Sequence, residues 1–167
     1  HAIDTTGSSA EAGIVTMAAG HTLTLNGGTN RSAGNATVQF NIGLAGTSQT
    51  DTLTVQGLAG HLNSIISVKT ITSANEIAVI NLGEGTNLTT WAGAIDLSAA
   101  ANGKAILNLN GAVVTGAITD TAAATAIEIN ITGTGTILNN AGNNLADTNA
   151  GNTLTVNNGI TLTNTNT

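Results

Sequence analysis

The side chains able to do chemistry are few in this sequence, and they are widely spaced. His1, His21 and His61 are the only histidines. An N-terminal histidine could chelate copper through its amine and imidazole, with His21 or His61 as the second imidazole. The plainer expectation is that His1 marks where a longer precursor was cut and that the other two lie in polar turns. Asp147, within the Asn-rich run 144–149, could offer oxygen ligands to calcium, but no calcium-loop repeat surrounds it. The serines fall in no Gly-x-Ser-x-Gly elbow, and no Gly-x-x-x-x-Gly-Lys-[Ser/Thr] loop is present to cradle phosphate. Trp91 is the sole tryptophan. It could stack on a sugar ring, or more simply anchor a loop to the scaffold. No constellation of converging ionisable groups emerges, so the expectation is a non-enzymatic protein with no catalytic residue, no bound metal and no cofactor.

What recurs instead is a strand pattern. His21-Thr-Leu-Thr-Leu25, Asp51-Thr-Leu-Thr-Val55 and Asn152-Thr-Leu-Thr-Val156 are near copies, and Ile160-Thr-Leu-Thr163 follows the last. Threonine alternating with an aliphatic residue describes a strand with one wet and one dry face. The same period places Leu23/Leu25, Val38/Phe40/Ile42, Leu53/Val55, Ile66/Val68, Ile77/Val79, Leu107/Leu109, Ile127/Ile129/Ile131, Leu154/Val156 and Ile160/Leu162 on inward faces. Asn-Gly pairs at 26–27, 102–103, 110–111 and 158–159 supply turns, since Asn and Gly accept positive φ. The strands recur every 20 to 30 residues or so, the spacing of array proteins. Ala-rich stretches at Gly7–Gly20, Asp96–Ala101 and Asp120–Ala126 are expected to form short helical pieces or loops.

Composition narrows the class. The chain has 167 residues and is expected to form one β-rich domain, 1–167. Hydrophobic residues make up 41% but aromatics only 1%, so a core must be built from Ala, Val, Ile and Leu. There is no proline and no cysteine; disulfides are excluded, and the wealth of Val, Ile and Thr argues against a disordered chain. Charged residues are 7%, with three Lys/Arg against nine Asp/Glu and a net charge of -6. So few cations cannot neutralise many phosphates, and nucleic acid is not an expected partner. No apolar run is long enough for a helical membrane span. The low charge and the Thr, Asn and Gly content suggest an extracellular or cell-surface protein, secreted after removal of a signal peptide.

Taken together, the Thr-Leu-Thr-Val strands, the Asn-Gly turns and Gly133-Thr-Gly-Thr-Ile137 give the chain a texture similar to the passenger regions of bacterial autotransporter adhesins and related surface antigens. That resemblance implies a right-handed parallel β-helix displayed at a cell surface. The near-repeats, the Asn abundance and the scarcity of aromatics also favour such an all-β solenoid, with an antiparallel β-sandwich as the close alternative. In it Thr153–Val156 and Ile160–Thr163 would form a hairpin through Asn157-Asn158-Gly159.

Either architecture leaves strand edges that pair readily with other chains unless proline, lysine or a cap blunts them. Residues 161–167, Thr-Leu-Thr-Asn-Thr-Asn-Thr, carry no charge and are expected to serve as an edge or exchanged strand. Thr161, Leu162, Thr163, Asn164 and Thr165 are the candidate assembly residues. The expected function is therefore self-assembly into a filament or surface layer, with copies of the chain as partners. One alternative is an adhesin fragment that binds a cell-surface or carbohydrate receptor. Another is an ice-binding protein, since paired Thr side chains about 7 Å apart on strands about 4.8 Å apart could order water.

Overall fold

The computed structural model describes residues 13–16, 20–26, 38–42, 50–56, 64–68, 77–83, 85, 89–91, 93–97, 104–119, 126–133, 136–138, 153–156 and 163–164. These residues are all-β. In chain order the strands are β1 (Gly13–Thr16), β2 (Thr22–Asn26), β3 (Val38–Ile42), β4 (Thr50–Gln56), β5 (Ser64–Val68), β6 (Ile77–Leu82), β7 (Thr89–Trp91) and β8 (Ile95–Asp96). They continue with β9 (Lys104–Asn110), β10 (Ala112–Val114), β11 (Ile118–Thr119), β12 (Ala126–Gly133), β13 (Ile137–Leu138), β14 (Thr153–Val156) and β15 (Thr163–Asn164). No helix occurs among the described residues, and Gly13–Thr16, inside the first Ala-rich stretch, is strand rather than helix.

The strands fall into three sheets. One has the order β14-β12-β9-β6-β4-β2, the second β15-β13-β10-β7 and the third β1-β3-β5-β8-β11. Every described pairing is parallel. From β6 to β13 the chain visits the six-, four- and five-stranded sheets in rotation, so each strand pairs with the one three places on. The expected hairpin is not formed. β14 lies parallel to β12 and β15 lies parallel to β13, in different sheets, so the antiparallel sandwich does not describe these strands.

Register follows the aliphatic alternation. In the six-stranded sheet Leu23, Leu53, Ile80, Leu107, Ile129 and Leu154 stand in one column, and Leu25, Val55, Leu82, Leu109, Ile131 and Val156 in the next. Between the first and last rows these side chains are almost wholly buried. Trp91 from the four-stranded sheet, with Ile95 of the five-stranded sheet and Leu97 just after its β8, joins the same core. Each such side chain contributes about 1.5–3 kcal/mol when removed from water. One inward assignment is corrected. On β6 it is Ala78, Ile80 and Leu82 that are buried, while Ile77 and Val79 are partly exposed. The run Ile-Ala-Val-Ile is apolar on both faces, and only the polar Asn81 shows which side is outward.

The turn from β9 to β10 is tight. Gly111, with φ of 73°, carries the chain from β9 to β10 in one residue. Its N–H donates to Thr136 Oγ1 at 3.1 Å, and that buried hydroxyl donates to the Gly133 carbonyl at 2.9 Å. Asn110 runs between Gly83 and Gly133 so closely that a Cβ on either glycine would collide with it.

Candidate assembly edge and outer polar face

Two features of this scaffold are candidates for function: the outward face of the six-stranded sheet and the strands that end it among the described residues. Alternation sends Thr24, Thr54, Asn81, Asn108, Asn130 and Thr155 into one outward column. Within it Asn130 Nδ2 donates to Asn108 Oδ1 at 3.0 Å, Asn108 Nδ2 to Asn81 Oδ1 at 2.8 Å, and Asn81 Nδ2 to Thr54 Oγ1 at 3.1 Å. The ladder thus has one direction, every amide donating toward the β2 end. Amide and carbonyl dipoles aligned in series reinforce one another. A parallel sheet suits such a ladder because identical positions repeat at the strand spacing.

The neighbouring outward column reads Thr22, Thr52, Val79, Ile106, Glu128 and Thr153. Paired threonines therefore face one another on β2 and β4, give way to aliphatic and acidic residues through the middle, and return on β14. Glu128 carries the charge on this face together with Lys104. The Lys104 ammonium pairs with Glu128 Oε2, and Asn130 Nδ2 donates to Glu128 Oε1 at 2.9 Å. These contacts, Lys104 foremost, hold the Glu128 carboxyl below its ordinary value.

An open depression of about 620 Å³ runs across this face, lined by Thr54, Gln56, Asn81, Asn108, Asn110 and Thr132 among others. All of these are neutral hydrogen-bonding side chains. Asp51 is elsewhere: it is buried on β4, where it accepts the Gly20 N–H at 2.5 Å. Among the described residues no three His, Cys, Asp or Glu side chains gather as a metal site would require. His21 is exposed, whereas His1, His61 and the 144–149 run lie outside the described residues. Trp91 is fully buried, so its ring packs in the core and offers no stacking surface to a sugar.

The sheet ends are different in character. Leu154 and Val156 continue the two buried columns but are 50% and 42% exposed, while their neighbours Ile129 and Ile131 are 2% and 0%. β14 therefore presents the wet end of a dry seam. Of the candidate assembly residues, Thr163 and Asn164 form β15, the terminal strand of the four-stranded sheet, in register with Ile137 and Leu138. Thr161, Leu162 and Thr165 lie outside the described residues. The structure thus adds β14 to the terminal strands and places Thr163 and Asn164 in a different sheet from it. The Asn ladder was not anticipated, although the triplets Ile80-Asn-Leu82, Leu107-Asn-Leu109 and Ile129-Asn-Ile131 announce it. Comparison with protein-family models, with curated proteins and with solved structures finds no match.

Proposed function

We propose that this chain is an extracellular structural protein that self-assembles into a filament or surface layer by pairing of strand edges. Its architecture is a right-handed parallel β-helix, in which the coils from β6 to β13 contribute strands to three faces in turn, with right-handed crossovers as parallel connections demand. The observation that carries the reading is the half-exposed Leu154 and Val156 at the end of columns that are dry between their end rows. Unpaired backbone groups and apolar side chains at one edge are what strand addition between subunits covers.

A second reading, as an adhesin, draws on a different observation. The outward depression is wide, neutral and rich in amide and hydroxyl groups, a lining that suits a polyhydroxylated or peptide ligand.

Negative-stain microscopy and light scattering across a wide concentration range test the first reading. Long fibres and a mass that grows with concentration are expected. Isolated short rods at every concentration refute self-assembly and leave the adhesin reading, which a glycan-array screen then tests.

A further inference from the structure

We infer that copies join head to tail, with β14 of one chain lying parallel to β2 of the next. This rests on the self-assembly reading and specifies its contact. β14 and β2 are the two terminal strands of the six-stranded sheet. Within one chain, β2 already has a partner of known sequence. Thr22, Leu23, Thr24 and Leu25 stand opposite Thr52, Leu53, Thr54 and Val55 of β4. β14 reads Thr153-Leu-Thr-Val156, identical to that stretch of β4. Set on the side of β2 away from β4 in the next copy, it places Thr153 against Thr22, Leu154 against Leu23, Thr155 against Thr24 and Val156 against Leu25. Side chain for side chain, this repeats a pairing the fold already makes.

Direction and register support the same contact. Every described pairing is parallel, so a copy stacked along the sheet by translation presents β2 in the sense that β14 needs. Leu154 and Val156 then extend their columns into Leu23 and Leu25 of the neighbour, and the seam stays apolar across the junction. Neither strand carries a charged residue to oppose approach. The gain falls mainly on the β14 side, because Leu25 is only 8% exposed whereas Leu154 is 50% exposed. A contact between unlike edges related by translation, as here, does not close and continues as a linear polymer.

The chain has no cysteine, so introduced thiols report on a silent background. Thr22 and Thr153 both face solvent. Directly paired strands lie about 4.8 Å apart, within disulfide reach, whereas the two ends of one six-stranded sheet are roughly 24 Å apart and cannot close on each other. Oxidation of the T22C/T153C variant is expected to give a ladder of covalent dimers, trimers and higher species on a non-reducing gel, while T22C and T153C alone stay monomeric. A second pair, T24C/T155C, reads the same register. Dimers from T153C alone would mean a symmetric contact of β14 with itself and overturn the head-to-tail junction while leaving self-assembly standing. Multimers by light scattering that neither double variant captures would do the same. A chain that is monomeric at every concentration overturns both readings.

Discussion

Asn108 donates through Nδ2 to Oδ1 of Asn81 at 2.8 Å, strand to neighbouring strand, and this bond is the middle step of a one-way ladder from Asn130 to Thr54. Removing its central member should be felt on both sides. Asn108→Ala deletes a donor to Asn81 and an acceptor for Asn130, and is expected to lower stability by about 1–2 kcal/mol. Asn108→Asp keeps the acceptor but loses the donor and sets a carboxylate against the Asn81 oxygen. Its deficit should shrink in acid, where the carboxyl regains a proton. Urea denaturation of both variants at neutral and acid pH checks this.

Leu107 and Leu154 share one column but not one environment. Leu107 is completely buried and Leu154 is half exposed. Leu107→Ala should cost about 2–5 kcal/mol through lost burial and the cavity left behind, and Leu107→Asp should abolish folding. Leu154→Ala should cost the dilute chain about 1 kcal/mol or less, because solvent already reaches that site. Thermal melts at low concentration separate the two.

Leu154→Asn makes the complementary statement about assembly. It should leave the circular dichroism spectrum unchanged and raise the concentration needed for polymerisation by about tenfold or more, equivalent to about 1.4 kcal/mol at the contact. Light scattering as a function of concentration measures that threshold. A threshold equal to that of the parent chain would remove Leu154 from the contact.

Gly83, just after β6, and Gly133, at the end of β12, flank Asn110 of β9 on either side. Gly83 has φ of 92°, and an added Cβ would run into the Asn110 carbonyl; at Gly133 it would meet the Asn110 side chain and the Gly111 nitrogen. Gly83→Ala combines an unfavourable φ with that collision and is expected to destabilise by more than about 1 kcal/mol. Gly85→Ala, which shares positive φ but meets only the tip of the Asn110 side chain, should be milder. Melting temperatures in that order would confirm the packing of the corner.

Glu128 gives the fold an acid-sensitive element. Its carboxyl is held below the ordinary value of 4.5 by Lys104 and Asn130. A group whose pKa is lower folded than unfolded stabilises fully above the unfolded value and loses that contribution as pH falls through the folded one. The parent chain should therefore lose stability below about pH 4.5, and Glu128→Gln should lose less over the same range. The pair is partly exposed, so the difference is small and shrinks further in high salt. Paired melts from pH 6 to pH 3 resolve it.

Much of the strand set is legible from period two alone. Leu53/Val55, Leu107/Leu109 and Ile127/Ile129/Ile131 are buried where alternation puts them. β6 was misread because its first four residues are apolar on both faces, so alternation has no contrast to act on. The near-repeats favour parallel stacking, and the described pairings are parallel; the competing hairpin rests on a strong local signal, since Asn157-Asn158-Gly159 between two Thr-Leu-Thr strands satisfies hairpin chemistry, and short-range chemistry says nothing about which distant strand offers the better column. The Asn ladder stayed hidden because Asn81, Asn108 and Asn130 are separated by unequal lengths of chain, 27 and 22 residues. The sheet end at β14 could not be read at all, since Thr153–Val156 has the same composition as the buried strand it copies.

The distance from a strand to its partner varies widely, from Lys104 and Ala126 to Thr22 and Thr52, while side-chain register is kept. Length is therefore absorbed between the strands and not within them. A scaffold of this kind tolerates insertion where the backbone leaves the sheets and resists it where columns must match. Foreign peptides grafted into the connections would be spaced along the sheets by the distance from strand to strand.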